Sequence, residues 1–325
     1  HYLQLAGEQA LARAANAEAA DYISRALALT PKTDQAARYA MLLTRERAYD
    51  VQAARTAQSQ DLDALEKLAQ ALGDAQKQAE VALRQAAFAE ATSDYPVAIA
   101  AAQRAITWAE AAQDLGRQAI GHVRWAWTLQ GQGDYAASRQ HLDQALILAK
   151  QAERPDLEVQ CLHNFGIICR RLGEGDNAKA YFEQALSAYR QLEDRRGESA
   201  ALHMLGTVAF LHEGDYRGAL ARFEEAVHIR REIGDRRSEI STLNNLGVLH
   251  AMMGNYAEAR SHYQQCLEIG RDMNDQAAEL RALINLSEAA CQLGDCSQAH
   301  DFGQHAVELA QEIGNRSLYA TALTN

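Results

Sequence analysis

Proline is almost absent from this chain, which contains only three prolines in 325 residues. Proline interrupts helices, whereas alanine is the strongest helix former, and alanine supplies 65 of the 325 residues. Segments rich in valine, isoleucine and threonine are also few, which argues against a substantial β-sheet. The composition therefore predicts an almost wholly helical chain.

Long apolar runs, a secretion signal and paired cysteines are lacking as well. The sequence has no stretch of about 18 apolar residues, which a membrane span would require. It also shows no basic-then-apolar leader. The five cysteines include no C-x-x-C pair, so we expect reduced thiols in a cytoplasmic protein. Lys and Arg number 32 against 43 Asp and Glu, and this net charge of −11 argues against nucleic acid as a partner.

A small residue recurs about every forty positions within an apolar stretch. The successive gaps are 40, 40, 40, 41 and 40 residues. The recurring residues are Ala86, Ala126, Gly166, Gly206, Gly247 and Ser287. A turn such as Gly214-Asp215-Tyr216 follows most of these stretches, because Gly can end one helix and Asp can cap the next. A second apolar stripe at i, i+3, i+4 spacing comes after the turn, so each unit is predicted to be helix, turn, helix, turn.

The Leu-x-x-Leu-Gly core, with Ala178 twelve residues after Gly166 and Ala185 seven residues further on, resembles the tetratricopeptide repeat (TPR). The usual TPR period is about 34 residues, so these helices are expected to be longer, as in kinesin light chain and Leu-Gly-Asn-type polarity adaptors. The resemblance implies an all-α fold, a right-handed TPR superhelical solenoid of about eight helix-turn-helix repeats.

We expect three parts along the chain. Residues 1–75 predict two N-terminal, less regular TPR-like helix pairs, and residues 76–316 predict six regular repeats of about 40 residues. Residues 317–325 predict the start of a truncated further helix. Both ends therefore look cut from a longer protein.

The N-terminal sequence carries a second resemblance. The decapeptide that starts at His1, the segment from Ala17 to Pro31, and residues 45–50 and 61–66 are similar to the start of the TPR region in bacterial STAND-type signalling ATPases. This implies a ligand- or partner-sensing arm that is covalently linked to an upstream nucleotide-binding domain. No Walker A motif occurs in the 325 residues, so neither a nucleotide nor any other cofactor is expected here.

The TPR resemblance places the first helix of each repeat along a concave groove that binds an extended ligand. If the small residue is numbered 8 in its repeat, positions 2, 6, 9 and 13 share one helix face. Position 6 carries two Arg, three Asn and Met204; an Asn amide suits a peptide group and Arg suits a carboxylate. The predicted groove residues on this face and beside it are Arg84, Arg124, Trp127, Gln130, His163, Asn164, Arg170, Arg171, His203, Asn244, Asn245, Met252 and Asn285.

These predictions have alternatives. The position-6 side chains could bond a neighbouring helix or face water, and Trp127 could pack between repeats. His163 and His203 could form a pH-sensitive pair or be ordinary polar residues on a half-buried face. A row of arginines between repeats could pair locally or form a docking edge. Its members are Arg154, Arg195, Arg196, Arg236, Arg237 and Arg316.

No catalytic constellation of the G-x-S-x-G or H-E-x-x-H kind occurs, and the spacing of Cys291, Cys296 and His300 suits packing better than zinc. We therefore expect neither an enzyme nor a metal site. The predicted function is a non-catalytic protein- or peptide-binding module, the sensing arm of a larger signalling ATPase. The alternatives are a free-standing scaffold or adaptor that binds an extended peptide, and a receptor for a peptide signal.

Overall fold

The computed structural model describes residues 2–13 and 15–314, and within them it contains sixteen α-helices and one π-helical turn but no strand. The predicted all-α fold is therefore confirmed for this part of the chain. Arg316 and the helix predicted at 317–325 lie outside the described residues.

The helices form eight pairs, in agreement with the predicted number of repeats. The first helices are α1 (Tyr2–Ala12), α3 (Gln35–Val51), α5 (Ala75–Ala91), α7 (Leu115–Gln132), α9 (Pro155–Arg171), α11 (Arg195–Val208), α13 (Arg236–Met252) and α15 (Gln276–Gln292). The second helices are α2 (Asn16–Leu29), α4 (Arg55–Leu72), α6 (Tyr95–Ala111), α8 (Tyr135–Gln151), α10 (Gly175–Gln191), α12 (Tyr216–Glu232), α14 (Tyr256–Asp272) and α16 (Cys296–Glu312). From α3 onward most helices have 17 residues, so the forty-residue period consists of two long helices and two short turns.

The chain divides into two compact units, an N-terminal unit (His1–Asn164) and a C-terminal unit (Phe165–Asn325). In the N-terminal unit α1 to α8 pack in sequence order, and α5 also contacts α7. In the C-terminal unit α10 to α16 pack in sequence order, and α13 also contacts α15. Each unit buries its own apolar cluster, so each has the nearest-neighbour packing of a repeat protein.

The recurring small residue lies where the two helices of a repeat approach each other most closely. A Cβ added to Gly206 would stand 2.7 Å from Cε1 of Phe223, and the same kind of clash would arise between Gly166 and Phe182. Phe182 and Phe223 are both fully buried. At Gly166, Gly206 and Gly247 the small residue thus leaves room for an aromatic ring of the second helix.

The predicted turns combine a left-handed residue with a capping carboxylate. Gly214 has a φ of +65°, and Asp215 then accepts the backbone N–H of Gly218 through Oδ1 at 2.9 Å. The left-handed conformation favours glycine because a Cβ raises its energy. Six turns nevertheless carry a non-glycine residue there, among them Glu193 with a φ of 55°.

The Glu193→Gly variant should be more stable than the wild-type protein. Glu193 is exposed, and relief of the left-handed strain is expected to raise the free energy of unfolding by about 1 kcal/mol. Urea unfolding would measure the change. The matched control is Leu192→Gly, because Leu192 has a right-handed φ of −85° and should lose stability on substitution. Equal effects of the two changes would contradict the strain argument.

The single 41-residue gap, between Gly206 and Gly247, has a local cause. Helix α11 ends at Val208 and continues as the π-helical turn Ala209–Glu213. A π-turn accommodates one extra residue because its hydrogen bonds span five residues rather than four. The insertion is therefore absorbed at the end of the helix, and Asp215 still caps α12.

Candidate functional site

The two predicted groove arginines of the N-terminal unit bind carboxylates of the preceding first helix. Nη1 of Arg84 donates to Oε2 of Glu46 at 2.5 Å, and Nη1 of Arg124 donates to Oε2 of Glu90 at 2.8 Å. Glu46 is only 1% exposed, and burial raises the pKa of Glu90 against the opposing effect of Arg124. Both guanidinium groups thus join consecutive repeats, as in one of the two alternatives for position 6.

Asn164 and His163 are also held within the protein. Asn164 is buried, and its Nδ2 donates to the carbonyl of Gln160 at 2.8 Å within the same helix. Burial lowers the pKa of His163 to about 4, so this imidazole is neutral near pH 7. His163 and His203 belong to different units.

Acidification should destabilise the protein through His163. The folded-state pKa of about 4 lies below the ordinary value of 6.5, so the unfolded chain takes up a proton first as the pH falls. The contribution of His163 is complete above pH 6.5 and is lost toward pH 4; a drop from pH 6.5 to pH 5 costs about 2 kcal/mol. Urea unfolding at the two pH values measures this loss. His163→Gln, which cannot titrate, should remove it, and an unchanged pH dependence in that variant would contradict the assignment.

A pair of histidines joins α7 and α8 in the same unit. Nδ1 of His122 lies 3.0 Å from Nδ1 of His141, whose ring stacks on Trp125 at 3.9 Å between centroids. Burial, and then the neighbouring His141, lower the pKa of His122 to about 4. Burial also lowers the pKa of His141, so protonation of this pair adds to the loss of stability in acid.

The remaining predicted residues of the N-terminal unit differ in exposure. Trp127 is 53% exposed on α7. Gln130 instead points toward its own helix pair, since its Nε2 donates to Oγ of Ser138 at 3.3 Å. In the C-terminal unit, Arg171 and Met252 are exposed at the ends of α9 and α13, whereas Arg170 is half-buried.

The C-terminal unit contains a cavity between α13 and α15, with a volume of about 340 Å³. Two of the predicted residues, Asn244 and Asn245, line it together with Arg237, Ser241 and Arg281. Neither Arg237 nor Arg281 forms an ion pair within the described part of the chain. One acidic residue, Asp275, also lines this α13–α15 cavity, and its Oδ1 accepts the backbone N–H of Ala278 as a helix cap.

Two other predicted residues support these asparagines from outside the cavity lining. Nδ2 of Asn285 donates to Oδ1 of Asn244 at 2.8 Å, which leaves the Asn244 amino group for other partners. The side-chain amide of Asn245 lies 3.5 Å from Nε2 of the buried His203. The structure thus brings four of the predicted residues into one cluster.

The wall of the cavity includes the buried thiol of Cys266. Cys266 is buried and donates through Sγ to the carbonyl of Ile240 at 3.4 Å. Burial raises the pKa of this thiol to about 12 despite the nearby Arg281. A thiol with so high a pKa is protonated near pH 7.

The prediction from sequence missed Ser241 and Arg281 as site residues, although a signal was present. Both occupy position 2 of their repeats, on the same helix face as the position-6 asparagines. Arg237 belongs to the predicted arginine row between repeats. Elsewhere in that row Arg154 pairs with Asp156, Arg195 pairs with Glu198, and Arg236 pairs with Glu239.

The described residues contain no arrangement of three or more His, Cys, Asp or Glu side chains that could hold a metal ion. In the same part of the chain, no helix combines the length and apolar character that crossing a membrane requires.

Comparison with solved structures finds the same fold in several helical proteins. The Rap protein complexed with Competence and Sporulation Factor aligns with a TM-score of 0.65 and 16% identity, over 99% of this chain and 95% of its own. The apo form of the quorum sensor NprR from B. thuringiensis gives a TM-score of 0.66 and 12% identity, over 95% and 86%. The third structure is a signal transduction ATPase with numerous domains (STAND) from Pyrococcus horikoshii, which has a tetratricopeptide repeat sensor. It aligns with a TM-score of 0.63 and 16% identity, over 90% of this chain and 43% of its own.

Comparison with curated proteins finds no match. The sequence model of the tetratricopeptide repeat matches residues 117–191, 158–232 and 238–312, which together make up more than half of the chain. Those ranges contain the last five helix pairs and the small-residue positions from Ala126 to Ser287. The chain therefore belongs to the tetratricopeptide repeat family.

Proposed function

We propose that this TPR chain is a non-catalytic module that binds a protein or peptide ligand, and that the α13–α15 cavity receives an acidic part of that ligand. The observation that carries the proposal is the pair Arg237 and Arg281, which line the cavity without an ion pair among the described residues. Nearby arginines are neutralised: Arg231 and Arg236 both pair with Glu239, and Arg271 pairs with Glu279.

The chemistry of the cavity suits a carboxylate. Arg237 and Arg281 each offer several N–H donors in a planar fork that matches a carboxylate. Ser241 and the two asparagine amides add neutral hydrogen-bonding groups. A volume of about 340 Å³ lies at the lower end of the range for ligand sites, which favours one or two side chains of an extended segment.

Our proposal for the wider role is the sensing arm of a larger bacterial signalling ATPase. It is supported by the N-terminal resemblance to STAND-type regulators and by the fold shared with the STAND sensor of Pyrococcus horikoshii. Ligand binding in the C-terminal unit would then bias a two-state switch in the linked ATPase. The coding sequence upstream of His1 tests this role: a nucleotide-binding domain is expected there, and its absence would rule the role out.

A second candidate is a receptor that binds a signalling ligand without a linked ATPase. It is favoured by the extent of the similarity to the Rap protein complexed with Competence and Sporulation Factor, which covers 99% of this chain and 95% of that one. Both candidates share the proposed ligand site in the C-terminal unit.

Fluorescence anisotropy with matched peptides tests the ligand site. Labelled, C-terminally amidated hexaglutamate is expected to bind at least about tenfold tighter than hexaglutamine, and added salt should weaken the binding. The result is diagnostic because a net charge of −11 disfavours non-specific attraction of an anionic peptide to the chain. Equal affinity for the two peptides, or no binding of either, would contradict the proposal.

A further inference from the structure

Two aromatic side chains of the N-terminal unit border an open cleft. The ring of Tyr95, at the start of α6, lies 3.2 Å from the point where a Cβ on Gly131 would stand. Trp127 lies four residues before Gly131 on the same face of α7 and is 53% exposed. Helical side chains lean toward the N-terminus of their helix, so a side chain at position 131 would cover Trp127. Because glycine has none, the space between Tyr95 and Trp127 stays open.

Neither ring is used by the rest of the described chain. Among residues 2–13 and 15–314, the Tyr95 hydroxyl and the Trp127 indole N–H have no hydrogen-bond partner, and neither ring contacts another ring or a cation. Arg124, the cation nearest to Trp127 in sequence, instead pairs with Glu90 at 2.8 Å. Tryptophan is enriched among the residues that carry most of the binding energy of protein interfaces, so the cleft is a candidate contact site.

Two aspartates with unpaired charge lie in the turns next to the cleft. Asp94 directly precedes Tyr95, and Asp134 follows Gly131 by three residues. Each caps the helix after it, because its Oδ1 accepts a backbone N–H. Both carboxylates are exposed, and neither forms an ion pair with any residue that the structure describes. Oδ2 of each aspartate is therefore available to a cationic ligand.

We propose that this aromatic cleft, formed by Tyr95, Trp127 and Gly131, binds an arginine side chain in a basic segment of a partner protein. A guanidinium group is planar and charged, so it stacks on aromatic rings while its N–H groups donate to carboxylates. Asp94 and Asp134 supply those carboxylates. A neutral apolar side chain would leave both charges unpaired, and an acidic one would be repelled. Since the α13–α15 cavity belongs to the other unit, this inference does not rest on the acidic ligand proposed for that cavity.

Fluorescence anisotropy with labelled hexaarginine and hexacitrulline tests the need for a cation. Citrulline keeps the shape of arginine but carries no charge, so hexaarginine should bind at least about tenfold tighter. Trp127→Leu should weaken hexaarginine binding about threefold to fivefold, as expected for loss of an exposed cation–ring contact. Trp108→Leu is the matched control and should bind as the wild type does, because Trp108 is 38% exposed on α6 outside the cleft. Equal binding of the two peptides, or an unchanged affinity in Trp127→Leu, would overturn the inference.

A second test separates the cleft from the acidic character of the whole chain. Asp94→Asn with Asp134→Asn removes two charges but keeps both helix caps, since Asn caps a helix as well as Asp does. Hexaarginine should then bind about fivefold more weakly at low salt. The control, Asp34→Asn with Asp295→Asn, removes the same charge at two other caps that no aromatic residue follows, and should keep the affinity within about twofold. Equal losses in the two double variants would mean that binding follows net charge, and would overturn the inference.

Discussion

Replacement of Arg237 and Arg281 together by glutamine is expected to weaken hexaglutamate binding by about 30-fold. Each arginine contributes a charge-assisted hydrogen bond at an exposed cavity edge, worth about 1 kcal/mol after screening by solvent. The two contributions sum to about 2 kcal/mol, which corresponds to that change in the dissociation constant. Fluorescence anisotropy at low ionic strength measures it, and the salt dependence of binding should become shallower in the variant.

The control for this experiment removes the same charge elsewhere in the C-terminal unit. Arg217 on α12 and Arg260 on α14 have no ion pair among the described residues and do not line the α13–α15 cavity. Arg217→Gln with Arg260→Gln therefore lowers the positive charge equally and should leave the affinity within about twofold. If both double variants lost affinity equally, the binding would follow net charge rather than the cavity.

Phe223→Ala is expected to lower the free energy of unfolding by about 3 to 5 kcal/mol. Phe223 is fully buried and fills the space beside Gly206 on the neighbouring helix. Loss of the ring removes buried apolar surface and leaves a cavity that the helices can close only in part. The expected measurement is a large fall in the urea midpoint of the C-terminal unit.

A double-mutant cycle separates this packing from a general effect of truncation. Gly206→Ala alone should destabilise the protein by about 1 to 3 kcal/mol, because its Cβ would press on the Phe223 ring. In the Phe223→Ala background the same substitution should cost less, since the ring is gone. Additive effects would contradict the paired packing. Leu211→Ala, at a side chain that is 59% exposed, should change stability by less than about 0.5 kcal/mol.

The fold could be predicted from the sequence because most repeats contain the same two local signals, a small residue in the first helix and a turn with a capping residue. Gly206 and its counterparts at forty-residue spacing show where the two helices of a repeat pack closely, and the Gly214-Asp215 pair shows where one helix ends and the next begins. The 41-residue gap indicates an insertion of one residue. Spacing alone does not show whether that residue forms a π-turn or lengthens a loop, because both add one residue. Only the hydrogen bonds of the π-turn at Ala209–Glu213 distinguish them.

The candidate site could be predicted only in part. The residues on one helix face do not reveal which side chains of the preceding first helix bind them. Arg84 and Asn245 occupy the same position of their repeats. Arg84 forms an ion pair with the carboxylate of Glu46. Asn245 instead contacts the imidazole of His203 and lines an open cavity. Glu46 occupies the position at which other repeats have a small residue, forty positions before Ala86. Because the N-terminal repeats are less regular, the sequence did not identify Glu46 as the partner of Arg84.

The most direct test of the central claim is a titration of hexaglutamate into the labelled protein, followed by NMR of the asparagine side-chain amides. The account predicts that the amino-group signals of Asn244 and Asn245 shift with the added peptide, and that backbone signals of α13 and α15 around the cavity shift with them. Hexaglutamine should leave these signals in place. Shifts confined to other helices, or none at concentrations that saturate the anisotropy signal, would contradict a ligand site between α13 and α15.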